Sequence, residues 1–341
     1  MANEIEKLNT IAIADIEKVN TRTDANIEKI NTLEFTGAVP EIDWGGTRAV
    51  VAGGNNSSAG DLDRIQYKTV GASANTVDFG DLQTSREFHA CAGSNATRGI
   101  FGGGRAGSNY GVADTDYITV ASTGDGTDFG DLDEPSSYGQ RNGASNGTLL
   151  FSNGGLNATY AHLNRMEYYT IASTGNGTDA GNLSGTKTSP SATNGDSRYL
   201  VVGGFKAGSA ITDDIEYNDF STSANVSDFG NLSAEGVYMS TANSTTRAVL
   251  QWNNYAVSDT LEYVTVASTG DSSDFGDLDT ARSELCGSSD GVTGEFYGGD
   301  STTSNDRMDS IEKITIASTG KGRDVGDLLE VNELAGATSG R

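Results

Sequence analysis

A five-residue motif ending in leucine recurs six times along the chain and leaves few folds open to it. It spans Asp78–Leu82 (DFGDL), Asp128–Leu132 (DFGDL), Asp179–Leu183 (DAGNL), Asp228–Leu232 (DFGNL), Asp274–Leu278 (DFGDL) and Asp324–Leu328 (DVGDL), so successive leucines stand 46 to 51 residues apart. Ahead of each motif, runs beginning at Tyr67, Tyr117, Tyr168, Tyr217, Tyr263 and Lys313 (YITVAST and its variants) alternate apolar with polar residues, the period of a strand. Further upstream a second apolar run ends in a Gly doublet, at Gly54, Gly104, Gly155, Gly204 and Gly299, while the fifth unit reads RAVLQWNN over Arg247–Asn254. A weaker run precedes that, as in REFHACAG from Arg86 and RSELCGSS from Arg282. Four short strands per unit, repeated six times, predict an all-β, six-bladed propeller, because a lone blade cannot bury its faces and a ring of blades can. The 45 glycines and 3 prolines agree with many tight turns between strands.

The ends of the repeat array carry a second argument. The last unit runs out at ELAGATSGR, which matches the first strand of a unit, and the first unit begins without that strand at GGTRAVVAGG. Joined, they complete one blade and remove the exposed sheet edges. The expected units are 86–132, 137–183, 187–232, 236–278 and 282–328, with a closing blade made from 333–339 and 48–82. The Gly doublets followed by an aromatic residue are where the chain resembles kelch repeats, over residues 47–341. Kelch blades carry Trp in the last strand. Here Phe79, Phe129, Ala180, Phe229, Phe275 and Val325 stand there.

Residues 1–36 follow a different rule. IEKLNT begins at Ile5, IEKVNT at Ile16 and IEKINT at Ile27, a period of 11 residues. Eleven residues in three turns is about 3.67 per turn, close to a straight helix. The expectation is an amphipathic helix with Ile5, Leu8, Ile16, Val19, Ile27 and Ile30 on one stripe. A helix of this length is marginal alone, so it would either pack on its own propeller or, the favoured reading, self-associate (as a trimer) or dock into a larger assembly. Residues 37–46 form the link to the domain at 47–341. The pairing of IEKxN repeats and LEFTG (Leu33–Gly37) with blades reading TVASTGDGTDFGDL resembles virion proteins of marine and cyanobacterial tailed phages. That resemblance implies a tail fibre, tail appendage or capsid-surface protein, attached to other virion proteins through 1–36, with a host surface glycan or protein as a possible ligand.

A formal net charge of −25 argues against nucleic acid and anionic membranes as partners. No signal peptide and no apolar run long enough to span a bilayer is present, so synthesis in the host cytoplasm and residence in the virion are expected. Cys91 and Cys286 lie far apart at one phase of the repeat, as buried apolar residues rather than a disulfide. His89 and His162, at different phases, offer no convergent partners for a metal site or a triad. No cofactor, metal or catalytic residue is expected. The acidic turns around Asp125, Asp128, Asp131 and Asp133 lack a Ca²⁺-loop pattern, and tight turns need Asp and Gly in any case. Arg48, Arg98, Arg198 and Arg247 recur at the start of the second strand; they would line an anion or glycan site or, the favoured reading, pair with the repeated Asp residues between blades. Departures from the repeat are the better recognition candidates: Trp252, Asn253, Asn254 and Tyr255 in blade five, and Asn109, Tyr110 and Tyr160 in the loops of blades two and three. Two other functions stay open, a carbohydrate-active depolymerase and a kelch-type interaction scaffold.

Overall fold

The computed structural model describes residues 48–89, 91–138, 143–208, 210–254, 256–301 and 306–339, with twelve residues of the N-terminal segment. The chain divides into two compact units, Met1–Asp43 and Trp44–Arg341.

The second unit is a six-bladed propeller of four-stranded antiparallel blades. In blade two the strands are Cys91–Ser94, Arg98–Gly102, Asp114–Thr119 and Thr127–Asp131, paired in that order. The closing blade takes Arg48–Ala52, Arg64–Thr69 and Val77–Asp81 from one end of the domain and Gly336–Ser339 from the other. Gly336 stands opposite Ala52 and Ser339 opposite Ala49 in that pairing. The expected closing strand is therefore present, shorter than 333–339. The weak run from Arg86 is also shorter, because Arg86–His89 belongs to the connection and the strand starts at Cys91.

Period-two alternation sends each strand's residues toward the two neighbouring blades in turn, and the core divides accordingly. Val50, Ala52, Ile65 and Phe79 of the closing blade pack with Ala92, Phe101 and Ile118 of blade two. Cys91, Ile100 and Phe129 of blade two pack with Leu150, Tyr169 and Ile171 of blade three. Six such clusters occupy the six junctions among the described residues. Each buried Phe or Leu in them contributes on the order of 2 kcal/mol.

The recurring motif is the backbone of these junctions. The loop before the fourth strand of one blade docks on the fourth strand of the blade before it: Gly124 N–H donates to Phe79 O at 2.8 Å and Gly126 N–H to Asp81 O at 2.7 Å. The same pair of bonds recurs from Gly175 to Phe129 and from Gly320 to Phe275. The loop can come so close only because the motif carries glycine. A Cβ on Gly80 (φ +150°) would lie 2.5 Å from the Gly124 carbonyl, and one on Gly130 (φ +137°) 2.6 Å from that of Gly175. At the ring closure Thr76 N–H donates to Asp327 O at 2.9 Å, so the non-covalent junction uses the same device.

The N-terminal segment departs from expectation. Its described residues are strand, not helix: Lys7–Leu8 pairs with Ile11–Ala12, Lys18–Val19 with Arg22–Thr23, and Lys29–Ile30 with Leu33–Glu34. At the described residues each 11-residue period thus carries one short antiparallel strand pair, with Leu8, Val19 and Ile30 on strands. Ile5, Ile16, Ile27 and residues 37–46 lie outside the described residues. No helix among the described residues is long and apolar enough to cross a membrane.

Candidate functional site

Three places could carry function: the axis, the charged residues of the repeat, and the loops. At the axis the first strands of all six blades surround a cavity of about 50 Å³. Ser94, Ser145, Asn194, Asn243, Ser289 and Ser339, at one register position, ring one end of it. Their side chains link blade to blade: Ser145 Oγ donates to Ser94 O at 2.7 Å and Ser289 Oγ to Asn243 O at 2.7 Å, while Ser94 donates to Ser339 O, Ser339 to Ser289 O and Asn243 to Asn194 O. Asn194 accepts from Ser145 N–H at 3.2 Å and so completes the ring. The lining carries hydroxyl and amide groups and no charge, and the volume suits a few water molecules rather than a sugar ring.

The repeated charges are engaged in the junctions. The acid before the strand-three tyrosine, or before Lys313 in blade six, accepts the N–H that follows the motif leucine of the preceding blade. Glu167 Oε2 accepts from Asp133 N–H at 2.9 Å, Glu216 from Ser184 at 3.1 Å, Glu262 from Ser233 at 3.3 Å and Glu312 from Asp279 at 2.5 Å. Asp116 does so with Gln83 at 3.4 Å, and in the closing blade the neutral Gln66 serves with Leu329 at 2.9 Å. Blades two, four and six add a buried cation to this acid: Arg86 on Asp116, Lys187 on Glu216 at 2.9 Å and Arg282 on Glu312 at 2.9 Å. Blade three has Ser136 where those cations stand, beside a pocket of about 10 Å³ lined by Glu134, Arg165 and Glu167. There burial pushes the Glu167 carboxyl up to about 7, against the opposing pull of Arg165.

The four recurring arginines correct the expectation of Arg–Asp pairs. Arg48, Arg98, Arg198 and Arg247 lie over the rings of Tyr67, Tyr117, Tyr217 and Tyr263 in their own blades, at 4.2 to 4.6 Å from the ring centroids. Three of them donate onward to a carbonyl of the next blade: Arg48 to Val120 O at 2.7 Å, Arg98 to Ile171 O at 3.3 Å and Arg247 to Ile316 O at 3.1 Å. An aromatic face and a neutral carbonyl satisfy a guanidinium without a buried carboxylate. Blade six swaps the parts, with Thr293 in the arginine position and Lys313 in the tyrosine position, and Lys313 Nζ donates to Gly71 O at 2.6 Å. None of these arginines lines the axial cavity.

The remaining chemical candidates are packed away. His89 is buried, and desolvation and Arg86 hold its imidazole down to about 3. His162 is half-buried in a bridge to Leu156. Cys91 and Cys286 are buried thiols that are not joined by a disulfide, and burial pushes the Cys91 thiol up to about 12. No metal-holding group of His, Cys, Asp and Glu exists among the described residues.

The loops behave differently. At the end of the propeller that carries the second-to-third and blade-to-blade connections, Phe88, Tyr138, Ser189, Tyr238, Glu284 and Leu334 all have φ between +50° and +60°. These residues occupy one repeat position, the sixth after the motif leucine, and the left-handed conformation is costly for a side chain. What holds it is a belt of backbone bonds from blade to blade: Phe88 N–H to Leu334 O at 3.1 Å, Tyr138 to Phe88 at 3.2 Å, Ser189 to Tyr138 at 2.6 Å and Leu334 to Glu284 at 3.0 Å.

A row of aromatic rings starts from that belt. Phe88 stacks on Tyr138 at 3.8 Å, Tyr138 lies parallel to Tyr110 at 6.1 Å (interplanar angle 5°), and Tyr110 meets Tyr160 at 4.8 Å. The Arg105 guanidinium stands 5.3 Å from both Phe88 and Tyr110 and ion-pairs with Glu87. Phe88 is buried, Tyr138 and Tyr110 are half-buried, and Tyr160 is 60% exposed. Tyr160 also has φ +61°, held by an Asn157 turn in which the Asn157 side chain accepts from Thr159 N–H and Ala161 N–H, each at 3.0 Å.

Of the sequence candidates, Tyr110 and Tyr160 are thus brought together from two blades, with Asn109 exposed beside them. Phe88, Tyr138 and Arg105 are not among those candidates; the one signal for them in the sequence is an aromatic at the same distance after Leu82, Leu132 and Leu232. Trp252 and Asn253 replace the Gly doublet, and the Gln251 amide donates to the carbonyls of Trp252 (2.8 Å), Ser258 (3.0 Å) and Arg282 (3.2 Å), which holds a turn that needs no glycine. Trp252 is half-buried with Nε1 donating to Ala234 O at 3.2 Å, Asn253 is fully buried and Asn254 is half-buried. Tyr255 lies outside the described residues. No protein-family model and no characterised protein matches the sequence, so the kelch and phage resemblances rest on the motifs quoted above.

Proposed function

We propose that this chain is a non-catalytic structural component of a tailed-phage particle. Residues 1–36 attach it to other virion proteins or to copies of itself, and the propeller is a rigid body that presents its loops to a host surface or a neighbouring protein. The observation that carries this reading is the division of labour within the repeat. The repeated acids, arginines and glycines are engaged in blade-to-blade junctions, whereas Tyr160, the one exposed aromatic residue among the described residues, stands on constrained backbone in a loop that departs from the repeat. The phage resemblance supplies the particle. The test is mass spectrometry and antibody labelling of purified virions of a phage that encodes the chain. Presence at one site on the particle is expected, and a chain found only free in the lysate would refute the reading. Attachment through the first segment is tested by light scattering, with the full chain expected to be a trimer and a chain starting at Trp44 a monomer.

A second reading, a depolymerase, has one observation behind it. Glu167 titrates near neutrality beside Arg165 and Glu134, as a general acid does. Its pocket of about 10 Å³ has room for one water-sized body and no sugar ring, which favours the first reading. Release of reducing ends from a host surface polysaccharide, lost in Glu167→Gln, would reverse that preference.

A further inference from the structure

We infer that Tyr160, backed by the packed rings of Tyr110 and Tyr138, is the stacking face of a binding site for uncharged oligosaccharide on the loop end of blades two and three. The inference rests on the non-catalytic, surface-presenting role proposed above and names its ligand.

The platform is built rather than incidental. Its two second-to-third loops are locked together, since a Cβ on Gly111 in blade two would lie 2.9 Å from Ala158 N in blade three. The blade-two loop is tied in turn to the closing blade, with Gly107 N–H donating to Asp61 Oδ2 at 2.6 Å. Tyr110 is fixed from both sides: Arg105 Nη1 donates to its hydroxyl at 3.2 Å, and Ser137 Oγ donates to its carbonyl. Tyr160, the ring that reaches furthest into solvent, is held in a left-handed conformation by the Asn157 turn. Exposure and backbone strain at one large aromatic residue work against stability, and they persist where the residue is used for recognition.

The chemistry points to sugar. Aromatic faces are negative and attract the slightly positive C–H face of a pyranose, while a polar fringe takes the hydroxyls. Asn109, Asn157 and Thr159 supply that fringe, with Asn157 Nδ2 bonded to Glu134 at 3.3 Å. A protein partner would want an apolar centre. The exposed large hydrophobic residues among the described residues are Val77, Tyr160, Val292 and Leu329, and of these only Tyr160 belongs to the cluster. Charge excludes acidic glycans. Arg105 is neutralised by Glu87, Glu134 adds a negative charge, and the chain carries −25 overall.

The test is a glycan array carrying neutral and sialylated or sulfated oligosaccharides, probed with the full chain and followed by titration of the retained compounds. Neutral oligosaccharides are expected to bind, Tyr160→Ala to weaken them by about tenfold or more, and Tyr160→Phe to stay within about threefold because stacking needs the ring and not the hydroxyl. Val292→Ala, exposed in a turn of blade six away from these loops, is the control and is expected to bind as the parent does. An array with no retained neutral glycan, binding unchanged in Tyr160→Ala, preference for acidic glycans, or capture of a host surface protein through Tyr160 would each overturn the inference. The virion-composition experiment is independent of all of these. A chain present in particles but blind to glycans would refute the platform alone, and cleavage of a bound glycan would refute the non-catalytic reading.

Discussion

The two ends of the propeller are built from the same repeats and obey different rules. At the end that carries the first-to-second and third-to-fourth turns, every junction repeats one solution: a glycine that admits the next blade's loop, and an arginine or lysine reaching the next blade's carbonyls at four of the junctions. At the other end the backbone repeats, in the left-handed belt, but the side chains placed on it do not: Phe88, Tyr138, Ser189, Tyr238, Glu284 and Leu334 share a conformation and little else. A constraint on the backbone alone leaves the side chain free to specialise. That is why recognition is sought among the side chains of this end.

Breaking the junctions should cost far more than altering the loops. The largest effect is expected from a chain ended after Asn332, which removes the closing strand and the buried Leu334, Ala335 and Ala337. It should show no cooperative unfolding transition by circular dichroism. Next comes Arg282→Met, which leaves Glu312 buried without its cation. A loss of about 3–5 kcal/mol in denaturant titration is expected, largely restored by adding Glu312→Gln. The two sides of one glycine contact should then separate. Gly130→Val, at φ +137° against the Gly175 carbonyl, should cost about 3 kcal/mol, whereas Gly175→Ala, with nothing within 4 Å, should stay within about 0.5 kcal/mol.

Titration offers a finer contrast. Glu167 is held above its ordinary value of 4.5, to about 7, so the fold binds its proton more tightly than the unfolded chain does, and its contribution to stability falls as pH rises from about 4.5 to about 7. His89 is held below its ordinary 6.5, to about 3, so its contribution is present above 6.5 and is lost as pH falls toward 3. Stability curves at pH 5 and 7 should show Glu167→Gln removing the first slope and His89→Gln the second, with opposite signs. The smallest expected effect on stability is Tyr160→Ala, within about 0.5 kcal/mol by thermal denaturation, although it is the change expected to matter most for binding.

Much of the fold was legible because its signal is local and repeated. The motif leucines, the alternating runs and the matching ends predict six blades and the composite closure, and the strands of the closing blade lie where the ends of the array placed them. Tyr110 and Tyr160 were legible as departures from the repeat. Trp252 departs from the repeat too, and the three bonds of Gln251 show that this departure includes a turn built in place of the Gly doublet. The N-terminal period of 11 is compatible with three helical turns or with one short strand pair per repeat, and periodicity alone does not choose between them.

The sequence by itself therefore determined the blade count, the strand order and the closure, because each follows from short-range alternation and from the spacing of turns. Only the tertiary structure decided which blade each charge serves, that the arginines rest on tyrosines rather than on carboxylates, and that Phe88, Tyr138, Tyr110 and Tyr160 form one row. Those outcomes depend on contacts between residues tens of positions apart, whose geometry is set by the curvature of the ring and leaves no local pattern to read.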